Sequence, residues 1–191
     1  MKISHYRQRN IAILTLLFVL VGAVNSALAS PKSTPKLSVR PKTKQLIFTG
    51  MNQGISWQVF LLNTKPAGQI KVQDEVRKLY LVDLETIVNK TTTTKFIDLV
   101  QCSTTSPFVA TRDSTFNSKN TYVAFLNPGG DISGANYSTH MLYWTVCHGL
   151  KNAQGYQLEE LKSLAKRLGY TTELENPSVE IPNWDYEKLK P

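Results

Sequence analysis

Between residues 46 and 127, short segments in which apolar and polar side chains alternate with a period of two, or which are rich in β-branched and aromatic residues, have the pattern of strands. In "QLIFTG" and "SWQVFLLNT", Trp57, Val59 and Leu61 alternate with Ser56, Gln58 and Phe60. "RKLYLVDLETIV" (Arg77 to Val88) sets Leu79, Leu81 and Asp83 against Tyr80, Val82 and Leu84. The clearest strand is "KFIDLVQCS" (Lys95 to Ser103), with Phe96, Asp98 and Val100 on one face and Ile97, Leu99 and Gln101 on the other. "PFVATRD" and "NTYVAFLN" predict two shorter strands on either side of "STFNSK". "KPAGQ" (Lys65 to Gln69) reads as a turn, and "NKTTTTK" is short and polar enough for a hairpin connection.

The period changes near the end. "YQLEELKSLAKRLG" (Tyr156 to Gly169) places Leu158, Leu161, Ala165 and Leu168 on one helical stripe, with Leu164 beside it. Glu159 and Glu160 in its first turn and Lys166 and Arg167 in its last complement the helix dipole, and Gly169 suits the C′ position. The segment 137–148 supports two readings. Tyr143, Trp144, Thr145 and Val146 favour a strand by propensity. Tyr137, Met141, Trp144 and His148 form a helical stripe that Ser133 or Asn136 could cap, and this favours a helix. The tail "ELENPSVEIPNWDYEKLKP" carries three prolines and reads as mostly irregular. Strands followed by helices predict an α+β fold, a largely antiparallel sheet with one or two C-terminal helices packed on it.

Ahead of this pattern lies a different composition. Lys2, Arg7 and Arg9 precede an apolar run from Ile11 to Val24, and Ala27-Leu28-Ala29 follows, the order of a signal peptide over residues 1–29. The run is 14 residues, short of the roughly 20 that a spanning helix requires. Residues 30–45, "SPKSTPKLSVRPKTKQ", are basic and proline-rich and predict a flexible linker. Residues 46–191 then form a single domain, in a mature chain expected to be exported to the periplasm or the cell surface and not to span a membrane.

The net charge of +8 changes meaning once it is located. Eight of the 22 basic residues precede Gln45, and none of the 14 acidic ones does. From Gln45 onward the charges balance, so the excess does not describe a nucleic-acid surface. Two cysteines in an exported chain, without Cys-x-x-Cys spacing, predict one disulfide between Cys102 and Cys147.

The segment "LNPGGDISGANYSTHMLYWTVCHGL" concentrates the remaining candidate chemistry. Asn127, Pro128, Gly129 and Gly130 read as a structural turn, with Pro setting one position and Gly supplying positive φ. The glycine spacing fits neither a Walker loop nor a dinucleotide fingerprint. His140 and His148 are eight apart, out of line on a helix and about 26 Å apart on a strand, so no metal site is expected from within the element. Cys147 and His148, as sequence neighbours, diverge and make a poor nucleophile pair. Asp83 and Glu85 could share a strand face as an acid/base pair; the preferred reading is that Asp83 caps a short turn, with Thr86 adding local hydrogen bonds. Trp57, Trp144 and Trp184 could form a sugar-stacking platform, though core or half-buried positions are commoner for tryptophan. No catalytic residue, metal site or cofactor is therefore assigned.

"YLVDLETIV", "KFIDLV", "NPGG" and the ending "WTVC" together resemble small exported bacterial proteins of the surface-adhesin-E-like type, many of them uncharacterised cyanobacterial proteins. Tyr80, Asp83, Thr86, Ile87, Cys102, Pro128, Gly129, Val146 and Cys147 fill that pattern, between Arg77 and Cys147. Gly130 stands where a Ser is usual, and the C-terminal helix lies outside the pattern. The resemblance implies a hairpin opening at Tyr80, a Pro-Gly turn leading into a helix that ends in Val-Cys, and a cysteine paired to an earlier strand. The expected function is a non-enzymatic exported domain that binds a cell-envelope component or another protein; the alternative is an exported hydrolase with a site assembled from scattered residues.

Overall fold

The computed structural model of the chain describes residues 44–112, 120–132, 136–170 and 178–186, and structural statements below concern these residues. The expected signal peptide and all but the end of the expected linker lie outside them. Seven strands form one sheet in sequence order, each antiparallel to the next: β1 (Gln45–Asn52), β2 (Ile55–Val72), β3 (Glu75–Val88), β4 (Thr92–Cys102), β5 (Phe108–Arg112), β6 (Thr121–Phe125) and β7 (Ser178–Ile181). Helices α1 (Tyr137–His148) and α2 (Leu158–Arg167) fall between β6 and β7. The fold is α+β, and among the described residues no helix is long and apolar enough to cross a membrane. Segment 137–148 is the helix its stripe favoured, and Asn136 occupies the N-cap without a side-chain capping bond.

The alternation of β4 is realised on both faces. Val100 and Phe96, with Val82 and Leu84 of β3, face the helices in the main core around Met141, Tyr143, Trp144 and Leu161. Leu99 and Ile97 face the other way, into a smaller core with Ala110, Val123 and Tyr186. The sheet is thus covered on both sides at its centre.

Four expectations need correction. First, Gln45, expected in the linker, is the first residue of β1, and Lys44 forms an ion pair with Glu85. Second, Lys65 to Gln69 is not a turn but the middle of β2. Among the described residues β1 pairs with β2 as far as Gln45↔Leu61, and further along β2 the described ladder is that with β3. A proline there need not cost a ladder bond. The register shift between Pro66 and Gly68, with φ 132° at Gly68, absorbs the extra residue as a bulge. The chain reverses instead after Val72, where Gln73 takes φ 52°. In the next hairpin Asn89 to Thr91 suffice for the turn, and Thr92 to Thr94 belong to β4.

Third, the tail is not mostly irregular where it is described. Ser178–Ile181 pairs with β6, Val179 opposite Val123. Beyond it Tyr186 is fully buried, donates to the Ile97 carbonyl (2.6 Å) and accepts from the Arg112 amide (2.9 Å). Arg112 pairs with Asp185 (2.6 Å), and Thr121 donates to the Trp184 carbonyl (2.8 Å). Fourth, Leu168 lies outside the buried stripe of α2, which rests on Leu161 and Ala165; Gly169 takes φ 84° and turns Tyr170 back into the core. Glu160 closes the N-terminus of α2 by accepting from the Gln157 amide (2.9 Å).

Asp98 lies on the helix-facing side of β4, 4 % exposed, opposite Thr111. Burial raises its carboxyl from 3.8 to about 7, against the pull of the Thr111 hydroxyl, and Oδ1 has no hydrogen-bond partner. The folded state therefore keeps a proton that the unfolded chain releases from about pH 4. Stability supplied by the neutral carboxyl falls as pH rises from about 4 to about 7 and changes no further above, on the order of 4 kcal/mol in all. His140 and His148 slope oppositely, because burial lowers both and they resist protonation as pH falls below 6.5. The difference between Asp98→Asn and wild type isolates the carboxyl. Urea unfolding at several pH values should show the variant gaining on wild type up to about pH 7 and holding level above it. A difference independent of pH would refute this account of the buried acid.

Candidate functional site

Cys102 at the end of β4 and Cys147 in the last turn of α1 are joined as a disulfide, with Cα atoms 5.5 Å apart. The same end of α1 carries a buried polar chain. Tyr143 donates to the Ser103 carbonyl (3.0 Å) and accepts from the Ser103 amide (3.3 Å). Its oxygen lies 2.6 Å from that of Tyr170, which lies 2.8 Å from His148 Nε2. With the Tyr143 proton committed to Ser103, Tyr170 donates to Tyr143, and His148 Nε2–H donates to Tyr170. Trp144 packs over His148 with ring centroids 4.8 Å apart.

These groups resemble an acid–base relay in composition but not in electrostatics. Burial, with Tyr170 beside it, drives the Tyr143 phenol far above its ordinary range. Burial brings Tyr170 to about 12 and lowers His148. Both phenols stay protonated at neutral pH and the imidazole stays neutral, so the chain fastens α1 and residue 170 to β4 and supplies no activated nucleophile.

Beside it, the loop Ser103 to Ser106 closes on a carboxylate. Glu75 at the start of β3 accepts from Ser103 Oγ (2.7 Å), Thr104 N (2.7 Å), Thr105 Oγ1 (2.6 Å) and Arg77 Nε (2.9 Å). Burial alone would raise this acid, but the hydrogen bonds from Thr105, Ser103, Arg77 and Thr104 outweigh it and bring it to about 2. The run Ser103-Thr104-Thr105-Ser106, not singled out from the sequence, is the local signal that could have marked such a loop, whereas its partner, 28 residues before Ser103, carries none.

The turn at Asn127 closes with Gly130 N donating to Asn127 O (3.0 Å). Gly130 does not supply positive φ as expected. A Cβ there would sit 2.7 Å from Asn127 Cγ, so it is the close approach of the Asn127 side chain that demands glycine. Pro128 and Gly129 complete the turn, which is buried. His140, fully buried, places Nδ1 2.9 Å from the Asn136 carbonyl. Burial lowers its pKa, while the main chains of Asn136 and Asn127 pull the other way. His140 and His148 thus sit in separate packing environments, and no group of three metal-type ligands occurs among the described residues.

Asp83 does not cap a turn. It lies in mid-strand, two residues from Glu85 on the face of β3 away from α1. Asp83 binds Lys65 (3.0 Å) and accepts from Asn63 Nδ2 (3.2 Å), and Glu85 is bound by Lys44, whose Nζ lies 4.5 Å from the Phe60 ring centre. Each carboxylate is thus matched by a lysine. The tryptophans do not converge: Trp144 is fully buried, Trp57 lies against Gly50 and Phe48, and Trp184 packs with Tyr186 on the opposite face of the sheet.

Among known proteins, no family model matches this chain, and no curated protein or solved structure gives a significant match.

Intact mass after alkylation without reductant should show no modified thiol. Reduction should lower the thermal midpoint, because a 45-residue loop is worth up to about 4 kcal/mol in the chain-entropy picture. Glu75→Gln should also lower stability at neutral pH. Since the folded Glu75 pKa lies below its unfolded value of 4.5, the wild-type advantage is present above that pH and disappears towards pH 2. Melting curves that stay a constant distance apart down to that pH would refute the anchoring role.

Proposed function

We propose that the chain is an exported, disulfide-stapled domain that binds a cell-envelope component or another protein and is not an enzyme. The observation that carries this reading is the closure of its polar clusters: Glu75 is taken up by its own loop, and Tyr143, Tyr170 and His148 hold one another in the core. The order of basic, apolar and small residues over 1–29, and a disulfide suited to an oxidising compartment, support export to the periplasm or cell surface. Helix α1 ending at Val146-Cys147-His148, stapled to β4, is compatible with the surface-adhesin-E-like resemblance, which supplies the binding class. The hydrolase alternative has one observation in its favour, the placement of Asp83 and Glu85 on a common strand face.

Protein recovered from the envelope fraction should begin at Ser30 and co-sediment with isolated envelopes, and removal of residues 30–43 should weaken that binding mainly at low salt. Recovery of the intact N-terminus from the cytosol would overturn export. A hydrolytic turnover abolished by Asp83→Asn or Glu85→Gln, with the fold retained, would put the enzyme reading first.

A further inference from the structure

Three segments meet at one end of the sheet. Ser56 of β2 and Asn89, after β3, exchange two hydrogen bonds, Asn89 N to Ser56 O (2.8 Å) and Ser56 N to Asn89 Oδ1 (2.9 Å). The Gln154 side chain pairs with the Thr49 main chain in both directions, each at 2.8 Å. This end exposes large apolar side chains: Met51 at 77 %, Ile55 at 50 % and Tyr156 at 40 %. It is also free of carboxylates, since residues 49–57, 87–94 and 148–157 contain no Asp or Glu, while Lys90 and Lys151 are exposed within them. Glu85, Glu159 and Glu160, which flank these segments in the sequence, are engaged: Glu85 with Lys44, Glu159 with Lys162 and Glu160 with the Gln157 amide.

We propose that this end, led by Met51 and Ile55 of the β1–β2 hairpin, docks on an anionic lipid bilayer. This rests on the envelope-binding reading above and names its target. Apolar side chains at a hairpin tip enter the headgroup boundary, and lysines at the rim meet the lipid charge; neither signal is strong alone, and the pair is. The tip is braced for insertion. Trp57 lies against Gly50, and Phe48 packs between Trp57 and Tyr137 of α1, with ring centroids 6.4 and 5.6 Å away.

The test must report the tip itself, because Lys32, Lys36, Arg40 and Lys42 could attract anionic lipid independently. Gln53→Cys, labelled with a polarity-sensitive fluorophore in the protein recovered from the envelope, provides that report. The emission should shift to the blue on phosphatidylcholine vesicles containing phosphatidylglycerol, not on phosphatidylcholine alone, and high salt should reverse the shift. The paired change Met51→Ser and Ile55→Ser should weaken vesicle binding at least about tenfold, with an unchanged thermal midpoint. No shift on anionic vesicles, an equal shift on neutral ones, or a shift on isolated envelope polysaccharide alone would each overturn the proposal. Envelope co-sedimentation that survives the paired change would overturn it while leaving the envelope-binding reading intact.

Discussion

Helix α1 has no polar side along its middle, and much of the fold is arranged around that constraint. Six successive residues, His140 to Thr145, are buried, so the helix needs cover around its whole circumference. The sheet provides one side, while Leu161, Ala165 and Tyr170 of the following segment join the same core. Such a helix finds apolar contacts in many orientations. Its rotation and depth are set by the directional contacts at its C-terminal end, where Tyr143 bonds to both main-chain atoms of Ser103 and Cys147 is joined to Cys102. Gly149, with φ 67°, then ends the helix and frees the chain to return over it.

The sheet answers the same demand from beneath. β2 and β3 are long, and the two bulges in β2 let one strand serve both faces, sending Leu61 to the helix side and Ala67 to the smaller core. That second face is closed by Trp184 and Tyr186, the latter clamped to the main chains of β4 and β5. Coverage on both faces gives β4 no wet side at its centre. This is why Asp98 is trapped away from water and why its proton is held so tightly.

The functional reading follows from where polar groups are spent. The interior clusters neutralise one another: phenol to phenol to imidazole, Glu75 to its loop, Asp83 and Glu85 to lysines. Such satisfaction favours rigidity over reactivity. Exposed apolar side chains occur at several places on the surface, and those of the β1–β2 hairpin are distinguished by a carboxylate-free surround that holds Lys90 and Lys151.

By itself the sequence determined what is local. Period-two alternation marked the first part of β2, β3 and β4, β-branched and aromatic content marked β1, and the charge order of Glu159, Glu160, Lys166 and Arg167 marked α2, because these signals concern neighbours along the chain. The two-cysteine count sufficed for the staple because it allowed a single pairing. Long-range partnership decided the rest. Pro66 and Gly68 have the composition of a turn, and it is their pairing with Tyr80 and Leu79 of β3 that makes them a bulged stretch of strand. Val179 gained a strand from β6, Asp83 gained Lys65 and Asn63 across the hairpin, and Glu75 gained a loop nearly thirty residues away. Tyr186 carries no local signal at all, since what makes it a core residue is a main-chain carbonyl on β4, 89 residues earlier. Propensity and periodicity describe what a segment can become; which hydrogen-bond partners and which covering surface it meets are set only when the chain closes on itself.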